Sequence, residues 1–448
     1  MAVTARRIIR NYQLLAGLYT LAASLIWGVN TLFLLDAGLS IGEVFVANAV
    51  FSVGMVLFEI PTGVVADTVG RRASYLLSIV VLGVTTILYL LAARAEAGVG
   101  VFAAISLVMG LGFTFYSGAL EAWLVDALHS VGETGDLDHV FARSQQVTGA
   151  AMLVGTTGGG FLGQIDLGVP FAARAVLLAG LFGLSWRTMH DLGFTPRPLA
   201  LRNISTELRE QTRVGVAYGW GDPGLRLLML AGMVRGAFFA WAFYSAQPYF
   251  LLLLDDDKIW VVGVITALMS LSMIAGNQIV ELLTRRCRRR SSVILGASVV
   301  VTVASVVMGV TDSFWVAVPA FLLVNGSLGV ITPVRQAYVH HVAPSEHRAT
   351  VISFDAMLGS VGGVGGQLGL GRLADVAAAP VDGFSRGYIV GGLTTVLVWP
   401  LLWTLRRRGD AADRIEGSAG VVGTCAAQGL PRTTHVDTLP REAVAARE

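Results

Sequence analysis

The sequence predicts an all-α membrane protein of twelve transmembrane helices in two pseudo-symmetric six-helix halves. Three observations predict it. The first is composition. Of 448 residues, 54% are hydrophobic and 14% charged, and the mean hydropathy of +0.68 is far above that of a soluble domain. The second is periodic length. Apolar runs fall near 14–35, 44–65, 73–93, 101–128, 144–165, 171–189, 226–254, 259–283, 292–310, 314–338, 349–371 and 387–405. Each is long enough to cross ~30 Å of hydrocarbon. The third is an internal echo. LVMG at 107–110 returns as LVNG at 323–326, EAWLVD at 121–126 aligns with QAYVHH at 336–341, and GGFLG at 159–163 returns as GGQLG at 365–369.

The elements follow in order. Residues 1–13 carry Arg6, Arg7 and Arg10, show no signal-peptide cleavage pattern, and read as a cytoplasmic N-terminus. Residues 14–189 hold the first six spans. Residues 190–225 are a cytoplasmic linker in which Ile204 to Tyr218 is amphipathic, either lying on the membrane face or solvated. Residues 226–408 hold the second six spans. Residues 409–448 lack periodicity and read as a disordered cytoplasmic tail. Arginines set the orientation. They crowd alternate connections, among them Arg71 and Arg72, the run Arg288, Arg289, Arg290, and Arg406, Arg407, Arg408. The opposite connections hold few positives and the acidic run Asp255–Asp257. The arginine-rich face is therefore expected in the cytoplasm of an inner (plasma) membrane protein, with both termini inside.

One polar knot interrupts the apolar pattern. Residues 63–75 read GVVADTVGRRASY between spans 2 and 3. Gly63, Ala66, Asp67, Gly70, Arg71 and Arg72 closely resemble the loop between helices 2 and 3 of the major facilitator superfamily. The bland alternative is that Arg71 and Arg72 only set topology. The resemblance extends over residues ~10–408 through the repeat. It implies secondary transport by rocking of the two halves, with Gly63, Asp67, Gly70, Arg71 and Arg72 as a gating motif. The segment through FEIPTGVVADTVGRR resembles bacterial drug/proton antiporters. The match has gaps. Span 4 has Ser106 where the family's motif places an arginine before Gly110. Span 5 keeps the glycine ladder Gly149, Gly155, Gly158, Gly159, Gly160, Gly163 without the motif's proline. The second copy of the knot is degraded to Asn277, Glu281 and Thr284 before Arg285 and Arg286. GRLAD at 371–375 lies at the acidic-loop face and reads as an echo of the motif and not a gate.

Polar groups inside spans are the site candidates, because a charge at mid-membrane costs at least ~2.5–3.5 kcal/mol without a partner or water. The resemblance implies that spans 1, 4, 7 and 10 line a cavity. On them lie Trp27, Asn30, Tyr116, Arg235, Trp241, Tyr244, Gln247 and Asn325, candidates for substrate contact. For the aromatics, packing is an equal alternative. Glu121, Asp355 and Asp126 are candidates for proton coupling, with Asp126 also readable as a solvated helix end. Arg235 lies ~15 Å along its span at 1.5 Å per residue, and is expected to pair with Glu121 or Asp355, or to bind substrate. Glu59 is expected to support the gate.

Exclusions narrow the function. No P-loop motif is present, so ATP is not the expected energy source. His340, His341 and His347 have loop-like spacing and no metal is expected. Cys287 and Cys425 imply no disulfide. No cofactor, nucleic-acid partner or enzyme activity is expected. The expected partners are a small-molecule substrate, protons and the lipid bilayer, around a monomer. The reading is a proton-coupled exporter of amphiphilic drug-like molecules, an antiporter of the multidrug efflux and antibiotic resistance kind. The alternatives are a proton-coupled carrier of one metabolite, favoured by an anion-binding cavity at Arg235, and a non-transporting membrane sensor.

Overall fold

A computed structural model describes residues 4–133, 137–196, 209 and 213–415 of the chain. They form twelve helical spans. Span 1 is Ala5–Ser24 with Asn30–Asp36, and span 2 is Ile41–Thr68. Span 3 is Arg71–Arg94, and span 4 is Val99–Tyr116 with Ala119–Ser130. Spans 5 and 6 are Leu137–Gly163 and Val169–Thr188. Span 7 is Pro223–Leu254, and span 8 is Ile259–Gln278 with Val280–Arg286. Spans 9, 10 and 11 are Arg290–Val310, Phe314–Val342 and Arg348–Asp375. Span 12 is Pro380–Thr394 continued by Val398–Arg408.

Local chemistry sets the ends. Ser40 and Glu43 form a reciprocal capping box at the start of span 2, satisfying two otherwise orphaned amides. Asp222 caps span 7 through Leu225 N at 2.8 Å, with Pro223 in the first turn. Gly70 joins spans 2 and 3 at φ +134°, a conformation that disfavours any residue with a Cβ.

The packing repeats when the halves are exchanged. Span 2 lies on span 4 as span 8 lies on span 10, and span 1 on span 5 as span 7 on span 11. Span 3 lies on span 6 as span 9 on span 12. Between the halves, span 2 meets span 11 and span 5 meets span 8. Small residues carry these contacts, as they must where lipid supplies no hydrophobic drive between helices. A Cβ at Gly110 would stand 2.8 Å from Phe51 O of span 2, and one at Gly276 would collide with Gly326 O of span 10. The LVMG and LVNG echo thus marks one packing role used twice.

Among the described residues, nine spans are apolar and long enough to cross a membrane by composition alone. Spans 1, 5 and 11 do not reach that level. Span 1 carries Arg6, Arg7 and Arg10, and spans 5 and 11 are glycine-rich. The last two lie at the seam between halves, where close approach matters more than hydropathy.

The two ends of the expected linker and tail are partly described. Most of Ile204–Tyr218 lies outside the described residues; Gly215–Trp220 is a π-helical turn packed on Phe354. Residues 409–415, assigned above to a structureless tail, are docked. Buried Asp413 accepts from Ser291 N at 2.7 Å and Ser291 Oγ at 2.8 Å, capping span 9. Arg290 Nη1 donates to Arg414 O at 2.7 Å. The remainder of the tail is outside the described residues.

Candidate functional site

The halves are joined at the face bearing Asp255–Asp257, here the acidic-loop face. Span 1 breaks over residues 25–29, which frees backbone groups inside the bundle. Gln247 of span 7 fills the gap. Its Oε1 accepts from Thr31 N at 2.8 Å and its Nε2 donates to Trp27 O at 2.8 Å. Those are the two groups that a continuous helix would bond to each other. One buried amide from the other half therefore replaces a turn of helix. Beside it Asn30 Nδ2 donates to Asn48 Oδ1 at 3.2 Å. Nearer the surface, Gly42 N donates to Asp375 Oδ1 at 3.0 Å, and Gln164 Nε2 to Asp257 O at 3.0 Å. Gly160 and Gly263 bring spans 5 and 8 into backbone contact. The GRLAD segment, read above as an echo with no gating part, thus supplies a bond across the halves through Asp375.

Towards the arginine-rich face span 2 becomes more exposed. Span 2 is buried through Asn48 and Ala49, then exposes Val53, Met55 and Leu57. The named polar contacts there stay within one half. Asp67 Oδ1 lies 2.5 Å from Arg71 Nη1, and Arg71 Nε lies 3.6 Å from Asp126 Oδ2. Asp191 accepts from Arg72 N at 2.8 Å and fills the space that a Cβ at Gly70 would need. Arg72 donates to Trp186 O at 2.9 Å and lies over its ring at 4.6 Å. Ser117 Oγ donates to Glu59 Oε1 at 3.1 Å. Gly63 is exposed, with nothing within 4 Å of its missing Cβ.

A charge cluster occupies the C-terminal half. Arg335 of span 10 bonds Asp355 of span 11, and both side chains are largely buried, at 15% and 8% exposure. Gly232 of span 7 leaves the room that the Arg335 guanidinium fills. Half-buried Arg235, one turn further along span 7, is within electrostatic reach of both. It makes no hydrogen bond or ion pair with the described residues. The expected partner of Arg235 is therefore taken: Asp355 is held by Arg335. Among the described residues two cations face one carboxylate, an excess of one positive charge.

The other candidates separate. Tyr116 stacks on Tyr19 at 3.8 Å and is half-buried, as are Trp27, Asn30 and Tyr244. Trp241 is fully buried between Phe45, Tyr388 and Gly387, and Asn325 is buried with Nδ2 bonded to Phe321 O of its own helix. Trp241 thus packs at the seam between the halves, against Phe45 of span 2, and Asn325 packs within the C-terminal half. Gly118 at φ +70° breaks span 4 and a new helix begins, with Glu121 exposed in its first turn and within electrostatic reach of Tyr12 and Tyr116. Asp126 joins the knot at Arg71. Sequence reasoning missed Arg174, fully buried in span 6. Its signal was available: it is the sole charge in the apolar stretch FAARAVLLAG.

Two six-helix halves of matching packing, joined at the acidic-loop face and holding polar and charged side chains inside their spans, have the architecture of a membrane transporter. The sequence model of the Major Facilitator Superfamily matches residues 14–367, and the chain belongs to that family. Solved structures share its fold at low identity. The nucleoside transporter NupG superposes with a TM-score of 0.75 at 11% identity, over 89% of this chain and 99% of that one. A D-xylose-proton symporter gives 0.64 at 13% identity, over 89% and 97%. The human organic anion transporter MFSD10 gives 0.56 at 18% identity, over 90% and 100%. No curated protein matches the chain in sequence.

Proposed function

We propose that this transporter is a proton-coupled carrier of organic anions, working by alternating access, with its arginine-rich face in the cytoplasm. The observation that carries the reading is half-buried Arg235 beside the Arg335–Asp355 pair. A guanidinium at this depth keeps its charge, and once closure excludes water from it a negative partner is needed. An anionic group on the substrate supplies it. Asp355 then serves as the proton site in place of Glu121, whose exposure removes the burial that coupling needs. Protonating Asp355 releases Arg335, so that two cations attract the anion. Each ligand thereby strengthens binding of the other, and linkage makes the effect mutual. Mutual strengthening favours carrying proton and anion together, so the expected mode is symport. The metabolite alternative weighed from the sequence is thus preferred over drug export.

Reconstitution tests the reading. Protein in liposomes should accumulate membrane-impermeant aryl carboxylates or sulfonates down an imposed inward proton gradient, and should ignore the cation ethidium. Asp355→Asn should keep anion exchange but lose the response to the gradient. Ethidium transport against an opposing proton gradient, with no anion uptake, would overturn it. That outcome defines the second reading, drug export by antiport. It draws support from the half-buried rings of Trp27, Phe51, Phe113, Tyr116 and Tyr244.

A further inference from the structure

Arg174 presents a different problem from Arg235. Its side chain is completely buried, and Nε, Nη1 and Nη2 all lack a hydrogen-bond partner among the described residues. The guanidinium lies 5.9 Å from the ring centre of Phe113, with Tyr19 and Tyr89 in electrostatic reach. Each tyrosine hydroxyl is paired with a serine: Tyr19 Oη with Ser78 Oγ at 3.1 Å, and Tyr89 Oη with Ser106 Oγ at 2.5 Å. Each hydroxyl pair holds two protons and uses one in the bond between them, so each has a proton left to donate.

The surroundings are rich in donors and bring no carboxylate to Arg174 among the described residues. Guanidinium cannot shed its proton to escape burial. A ring face compensates a desolvated cation only in part. Unsatisfied guanidinium donors beside hydroxyls with a proton to give, around a fixed positive charge, are the chemistry of an anion site.

We infer that Arg174, with Tyr19 and Tyr89, forms an anion-binding site inside the N-terminal half. The ligand is a monoanionic group, either a halide-sized inorganic ion or the carboxylate of an organic compound. Spans 1, 3, 4 and 6 supply the donors, so closing the site ties these four helices to one charge. A wall of rings separates it from the cleft. Phe113 meets Phe51 edge-on at 5.5 Å and Tyr19 at 6.4 Å, while Tyr116 stacks on Tyr19. Phe51, Phe113 and Tyr116 are half-buried, and their rotation opens the way to Arg174. Arg235 lies in the other half, so this site does not depend on the proposed substrate reading.

The test is thermal unfolding of the full-length protein in neutral detergent at constant ionic strength, with gluconate replaced stepwise by chloride or by benzoate. A saturable rise in Tm supports the site. Gluconate, polyhydroxylated and strongly hydrated, is the reference anion too large and polar to pass the ring wall; a rise with chloride alone assigns an inorganic ion, a rise with benzoate alone assigns an apolar organic carboxylate, and a rise with both assigns any monoanion able to pass. Arg174→Met should abolish the rise and Arg174→Lys should retain part of it. If Arg174→Met does not fold, Tyr19→Phe and Tyr89→Phe replace it, each raising the half-saturating anion concentration about tenfold. An unchanged Tm for the wild type in both titrations overturns the inference. So does an undiminished rise in Arg174→Met, or in both tyrosine variants.

Discussion

Asp375, the last residue of span 11, accepts a hydrogen bond from the backbone of Gly42 in the first turn of span 2, at 3.0 Å. A carboxylate thus sits on the positive end of a helix dipole across the boundary between halves. Exchanging the halves relates this contact to Gln164, just past the end of span 5, whose Oε1 accepts from Trp260 N in the first turn of span 8 at 3.4 Å. At the opposite face Asp67 is the penultimate residue of span 2, and span 11 begins at Arg348. The gating motif predicts that Asp67 caps the first turn of span 11 when the arginine-rich face closes.

Asp375→Ala should therefore favour the state open at the acidic-loop face. A charge-assisted bond of about 1.5–3 kcal/mol corresponds to roughly a tenfold or greater shift. The measurement is alkylation of a cysteine placed at Asn30, in protein with Cys287 and Cys425 replaced by serine. Labelling no faster than in the parent would show that Asp375 is not a latch.

Gln247 offers a test with a stability readout. Gln247→Leu strands the amide of Thr31 and the carbonyl of Trp27, each at a cost of about 1–3 kcal/mol when buried. Tm in detergent should fall. Gln247→Glu keeps an acceptor for Thr31 N and loses the donor to Trp27 O, so its fall should differ from that of the leucine variant. Equal Tm values for both variants and the wild type would remove Gln247 from the seal.

The charge cluster predicts an asymmetry. Arg335→Ala strands a buried carboxylate and should cost about 3–5 kcal/mol, with partial recovery on adding Asp355→Ala. Arg235→Ala leaves the Arg335–Asp355 pair intact, so Tm should hold while anion transport is lost. A large loss of stability in Arg235→Ala would assign that residue to scaffolding.

At the knot, magnitude separates gate from scaffold. Arg71 pairs with Asp67 and Asp126 near the surface, with side chains 19%, 27% and 33% exposed. Such pairs contribute about 0–1 kcal/mol to folding. Asp67→Asn should leave Tm nearly unchanged and reduce transport at least ~10-fold, as the loss of an ~1.5 kcal/mol bond to one conformation would. Transport at the wild-type rate would end the gating role of Asp67.

Glu121→Gln should preserve gradient-driven transport, since Glu121 stands exposed beyond the Gly118 break. Loss of coupling in that variant, measured with Asp355→Asn alongside, would return the proton site to span 4.

The sequence by itself determined the class, the twelve spans, their repeat and the location of the knot. These follow from quantities that add residue by residue: hydropathy over ~20 positions, the count of arginines in each connection, and short strings that recur. They survive without knowing which helix faces which. The partners of the charged groups do not add in this way. Arg335 holds Asp355, Arg71 reaches Asp126, and Gln247 enters the break in span 1 across 216 residues of chain. Each depends on the rotation and height of one helix against another, set by glycine contacts such as Gly232 against Arg335. A one-residue turn of a helix swings a side chain by about 100°, enough to move it from the cleft to lipid. Trp241 and Asn325 were legible as candidates on cavity-lining spans, yet only packing decided that Trp241 sits at the seam against Phe45 of span 2 and that Asn325 bonds within its own helix.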